Sequence, residues 1–231
     1  MGERFRELSL LVYHAARTVA GRRFWLYPLI PLVWPLIQFI WVYMQWRETD
    51  FDIPDAQNFL IGLPLAVLAS LLGIRIIAGE IDRRTLEIAF TVPGGAHRIW
   101  LAKITAAIGM IVLAEALLAL ATWLLLTDYP LSALYGAFQA SIFMMIMGMG
   151  LAALFKSESA GGMLTVGVFF FAYILQRTRV SPFYNPEMLD LDAAQRIAGL
   201  VQNRIGFLIA IVTVLLLTFG RAEQRERMLG G

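Results

Sequence analysis

Six apolar runs, each close to the length needed to cross a bilayer, restrict the fold of this chain more than any other feature of its sequence. They cover residues 24–46, 58–77, 99–126, 131–155, 160–176 and 205–220. A hydrocarbon core about 30 Å thick takes about 20 apolar residues of helix. Read as helices, the runs predict an all-α, polytopic membrane protein with six transmembrane helices, organised as one transmembrane domain over 1–231. The composition agrees, with 59% hydrophobic and 16% charged residues, where soluble domains average about 45–50% and about 25%. The loops leave no room for a second, water-soluble domain.

The chain has no cysteine, which excludes disulfide frameworks, thiolate metal sites and cysteine nucleophiles together. A net charge of +2 motivates no nucleic-acid binding. Basic loops stay in the cytoplasm. Placing the N-terminus, the segment after the second run, the link after the fourth and the C-terminal tail on one side collects 14 of the 19 Lys and Arg residues. Only Arg47, Arg177, Arg179, Arg196 and Arg204 fall on the other side. Both termini are therefore expected in the cytoplasm, and the chain in a bacterial cytoplasmic (inner) membrane.

Residues 1–23 carry Arg4, Arg6, Arg17, Arg22 and Arg23, with Phe5, Leu8, Leu11, Val12, Ala15 and Val19 at helical spacing. That pattern predicts an amphipathic helix at the membrane interface; the alternative is an ordinary helix packed on a partner subunit. Arg22-Arg23 followed by an apolar stretch looks faintly like a twin-arginine signal. The run behind it is too long and aromatic for a cleaved signal and lacks an Ala-x-Ala exit, so it is taken as the first span. Pro28, Pro31 and Pro35 should kink it or hold its outer carbonyls free.

The segment 79–97 combines Ile81, Leu86, Ile88 and Phe90 with Glu80, Asp82, Arg83, Arg84 and Glu87, then breaks at Pro93-Gly94-Gly95. A short helix of mixed faces tied between two spans can neither insert nor float free. It lies at the lipid interface or docks into a groove on a soluble partner.

Glu80, then Thr85-Leu86-Glu87, then Pro93, then Lys103 opening the third span, together resemble the permeases of ABC-2 type (type V ABC exporters). Arg84 stands where that family often has Gly. The six-span layout, the N-terminal helix and the long loop before the last span extend the resemblance over most of the chain. It implies that 79–97 is a cytoplasmic coupling helix seated in a cleft of an ATPase, with Glu80, Arg84, Thr85, Leu86, Glu87 and Pro93 as contacts. It also implies two ATPase (nucleotide-binding) subunits and a second copy of this or a related permease. No GxxxxGK[ST] loop occurs, and Gly94-Gly95 and Gly161-Gly162 lack the lysine of a phosphate cradle. This chain is accordingly expected to be no enzyme and to hold no cofactor, with ATP and Mg on the partner. The bland alternative for 79–97 is a surface-lying connector with solvated charges.

Glu115 lies inside the third run, where an ionised carboxylate costs a few kcal/mol and tends to face a partner or a cavity. It lines a translocation path, pairs across a dimer, or serves structure alone. Met144, Met145, Met147 and Met149 could suggest soft-metal handling, but thioethers beside Gly148 and Gly150 also suit close helix packing. His14 and His97 sit in separate elements without a third ligand, so no metal site is expected. The extracytoplasmic loop 177–204 reads as turns followed by a capped short helix from Asp192. The resemblance makes it a cap over the exit of the path, with Phe183, Tyr184 and Leu189 near a leaving substrate; the alternative is a lid that only seals and packs.

The sequence therefore predicts a permease subunit exporting an amphipathic or hydrophobic cargo, driven by a separate ATPase and surrounded by membrane lipid. Its rivals are a non-transporting membrane anchor acting mechanically on envelope machinery (pilus, gliding motility, respiratory maturation), a passive scramblase or channel, and a membrane-embedded hydrolase or synthase. The last would need paired acids, a His cluster or a nucleophile with its base, which Glu115 alone does not supply.

Overall fold

A computed structural model describes residues 2–46, 51–82 and 95–222. Among them every regular element is helical: α1 (Gly2–Ala20), a 3-10 helix (Phe24–Leu32) continuing into α2 (Val33–Tyr43), a π-helix (Asp55–Gly62) continuing into α3 (Leu63–Asp82), α4 (Ala96–Leu125), α5 (Leu131–Phe155), α6 (Glu158–Ile174), a 3-10 turn (Pro186–Met188) and α7 (Ala193–Ala222). Among the described residues five stretches are long and apolar enough to cross a membrane, namely Phe24–Tyr43, Asp55–Asp82, Ala96–Leu125, Leu131–Phe155 and Ala193–Ala222. Most of segment 79–97 lies outside the described residues, including Arg84, Thr85, Leu86, Glu87 and Pro93.

Prolines set the winding of the first two spans. Pro28 and Pro31 sit inside the 3-10 helix, where a missing N–H and a ring pressing on the preceding turn disfavour α-helical bonding. Pro35 falls in the first turn of α2, where the absent donor costs nothing. Pro64 sits at the start of α3, and the wider π-turn before it gives the ring space that a regular α-turn lacks. Asp52 opens that π-helix by accepting the Asp55 amide at 2.8 Å.

α3 is the hub. The Asp55–Asp82 stretch has 72% of its apolar window buried, against 17% for Ala193–Ala222, so α3 runs through the bundle and α7 along its outside. Small residues let the backbones meet: a Cβ on Gly73 would run into the Met145 carbonyl of α5, and one on Gly161 of α6 would run into the Ala152 backbone. Close approach over small residues is the usual glue between helices in lipid, where no hydrophobic effect presses them together.

Three elements differ in their bounds from the sequence reading. The fifth run, expected over 160–176, is α6, whose 17 residues span about 25 Å at 1.5 Å per residue, at the short end of what crosses a hydrocarbon core. The short helix after Asp192 and the last run, expected separately, are one 30-residue helix, α7. No proline interrupts 193–222, and Asp192 caps the start by accepting the Gln195 amide at 2.7 Å. The N-terminal element, expected over 1–23, ends at Ala20, where Gly21 takes φ +80°.

Candidate functional site

Glu80 ends α3 one turn before the segment 83–94, and Lys103 lies two turns into α4, on the far side of that segment. The Lys103 ammonium donates to Glu80 Oε1 at 2.6 Å and to the Ile76 carbonyl at 2.9 Å. Trp100 Nε1 donates to Glu80 Oε2 at 3.1 Å. Lys103 is 4% exposed and the Glu80 side chain 13%, so both charges are largely removed from water and each relies on the other. Trp100 is fully buried and packs on Phe219 of α7 at 5.8 Å. The feet of α3 and α4 are thus clasped on either side of the stretch expected to meet a partner. Of the six expected contact residues Glu80 alone is described, and both its oxygens are engaged within the chain.

Nearby, Arg75 donates to the Tyr27 hydroxyl at 3.0 Å and lies 3.8 Å from Glu158 of α6. The Glu158 amide donates to Asp82 Oδ2 at 3.0 Å. Lys156 turns the chain from α5 into α6 in the left-handed conformation, and Ser157 caps α6. The α5–α6 link is therefore anchored at the same end of the bundle as the clasp.

At the opposite end of α3, a second polar cluster holds the loop 175–192. Asn58, in the π-helix, donates to the Phe183 carbonyl at 2.8 Å and to Gln176 Oε1 at 3.3 Å. Asn185 donates to Gln57 Oε1 at 3.2 Å. Asn203 of α7 donates to the Arg179 and Ser181 carbonyls, each at 2.8 Å. Gln139 and Arg204 exchange bonds, Nε2 to the Arg204 carbonyl at 2.8 Å and Nη1 to Gln139 Oε1 at 3.0 Å. Gln57, Asn58, Gln139, Asn185 and Asn203 are all buried. Amides at such depth persist when paired. Amides set within or beside apolar runs are the one sequence signal of this cluster, and they leave its partners open.

Phe183 and Tyr184, expected near an exit, are fully buried. Phe183 lies between Phe169 at 5.7 Å and Tyr173 at 5.6 Å, and Leu189 is half-buried. These contacts make the loop a plug fitted into the bundle. Removing the Asn203 donor tests that: Asn203→Ala should cost about 1–3 kcal/mol by leaving two loop carbonyls unsatisfied. Limited proteolysis should then cut near 177–182 where the wild type resists.

Glu115 is half-buried on α4, above a cleft against α5 of about 380 Å³ whose wall includes Ala116, Ala119, Leu134, Tyr135 and Phe138. Its Oε1 is buried with no hydrogen-bond partner among the described residues. Tyr129, in the turn between α4 and α5, donates to the Ala119 carbonyl at 2.6 Å. Burial, reinforced by the nearby Glu115, holds the Tyr129 phenol above its ordinary range. Since Glu115 gains nothing from Oε1 within the chain, Glu115→Gln should leave thermal stability within about 0.5 kcal/mol of wild type. A larger loss in a melting experiment would show that the carboxylate itself is paired.

No protein-family model, curated protein or solved structure matches the chain. Met144, Met145 and Met149 are fully buried in the α3–α5 packing. His14 and His97 are exposed. Among the described residues no group of three or more His, Asp or Glu side chains could hold a metal ion.

Proposed function

We propose that this chain is the membrane-spanning permease subunit of an ATP-driven ABC exporter in a bacterial cytoplasmic membrane, both termini on the cytoplasmic side. It works with a second permease copy and a separate ATPase that carries the ATP and Mg, and its cargo is amphipathic or hydrophobic. The observation that carries this reading is the clasp of Glu80, Lys103 and Trp100 at the two ends of 83–94. A push delivered to that segment reaches α3 and α4 as one body, because the ion pair and the indole hold their feet together. Glu80 then keeps the register of the coupling segment, while Arg84, Thr85, Leu86, Glu87 and Pro93 meet the ATPase. The buried α3 carries the movement to the loop plugged by Phe183 and Tyr184.

The absence of cysteine gives a clean test. Leu86→Cys supplies a unique thiol for cross-linking in cells. The expected product joins this chain to a P-loop ATPase, and the purified pair hydrolyses ATP faster than the ATPase alone. Labelling of the same thiol by a membrane-impermeant maleimide in intact cells would place 83–94 outside and end the reading.

A further inference from the structure

We propose that the groove between α1, the first 3-10 helix and α4 is a binding site for one anionic glycerophospholipid, its acyl chain in the groove and its phosphate at Arg17 and Arg23. The groove holds about 610 Å³, within the range of ligand pockets, about 300–1,000 Å³. Its walls include Val12, Tyr13 and Ala16 of α1, Phe24 and Pro28 of the 3-10 helix, and Gly109 of α4. Both aliphatic hydroxyls that border it are spent on their own helices: Ser9 donates to the Arg6 carbonyl at 2.8 Å and Thr105 to the Leu101 carbonyl at 2.9 Å. Apart from the tips of Tyr13 and Trp25 the rest of the lining is hydrocarbon, and a cavity so lined favours an apolar occupant over water.

Charge decides which amphiphile fits. At about 3.6 residues per turn, Ser9, Val12, Tyr13 and Ala16 share one face of α1. Arg6 and Arg17 both lie along the Tyr13 edge of that face, while Glu7 falls on the far side. The Arg17 guanidinium lies 5.9 Å from the centre of the Tyr13 ring, a groove wall. Exposed Arg23 directly precedes Phe24, another wall residue. An apolar slot rimmed by cations on an interfacial helix matches an acyl chain under a phosphate that keeps its negative charge. This site does not depend on the exporter reading.

Gly109 permits a direct test, since a Cβ there meets nothing within 4 Å and Gly109→Leu fills the groove without displacing its walls. The purified full chain is offered phosphatidylglycerol and phosphatidylcholine with identical acyl chains, and adducts are read by native mass spectrometry. The wild type should retain one phosphatidylglycerol about tenfold better than phosphatidylcholine. Gly109→Leu should lose the adduct with helical circular dichroism unchanged, and Arg17→Gln with Arg23→Gln should keep lipid but lose the preference. Equal retention of both lipids by wild type, or an adduct undiminished in Gly109→Leu, overturns the proposal. So does a Gly109→Leu variant that loses a dimer instead of a lipid, which would give the groove to a second copy. Should Gly109→Leu fail to fold, the arginine variant decides alone, and an unchanged preference there refutes the site.

Discussion

Gly73→Leu is expected to leave almost no folded protein in the membrane, whereas Gly206→Leu accumulates as wild type. A Cβ at Gly73 would overlap the Met145 carbonyl oxygen and come within 2.9 Å of the Met145 Cα. Those are backbone atoms of a buried helix, and no rotamer change clears them. Overpacking in a fitted core costs about 1–3 kcal/mol where side chains can yield; here α3 and α5 must separate, so the cost lies at or above the top of that range. Gly206 on α7 meets nothing within 4 Å and serves as the control. Quantitative blotting of membrane fractions, with thermal melting of whatever is purified, separates the two outcomes. Comparable accumulation of both variants would mean that α3 and α5 do not pack as described.

Lys103→Met should destabilise the protein by about 3–5 kcal/mol, because it takes the ammonium at 2.6 Å away from the Glu80 carboxylate in a largely dry setting. Adding Glu80→Gln should recover most of that loss, since two neutral groups of similar shape leave no charge uncompensated. The recovery is the informative part: it isolates the pair from general damage to α4. Equilibrium unfolding of the four proteins of this cycle in detergent gives the coupling, and independent, additive losses would dissolve the clasp. On the exporter reading the restored double variant remains defective in stimulating its ATPase. The neutral pair holds α3 and α4 less tightly under load.

The helices were legible because their cause is local. Apolar length and backbone self-satisfaction act within each run, so 24–46, 58–77, 99–126 and 131–155 read as helical elements near where they occur. Proline positions announced an irregular first span, and the 3-10 winding over Phe24–Leu32 follows from Pro28 and Pro31. The weaker expectations concerned ends. Nothing in 160–176 signals that α6 stops at Ile174, and the polar look of 192–204 hides that this stretch continues into the last helix.

Partners of polar groups are another matter. Glu80 and Lys103 were both singled out as residues, yet their contact joins positions 23 apart, and Asn58 finds the Phe183 carbonyl 125 positions away. Lone intramembrane polar residues signal that partners exist and leave their identity open. By itself the sequence determined a chain of helices long and apolar enough to cross a bilayer, where hydrocarbon makes each segment satisfy its own backbone. The tertiary structure decided which glycines bring backbones together, that Phe183 and Tyr184 face inward, and that one ion pair fastens α3 to α4. Close packing and paired buried charges arise only when distant segments meet.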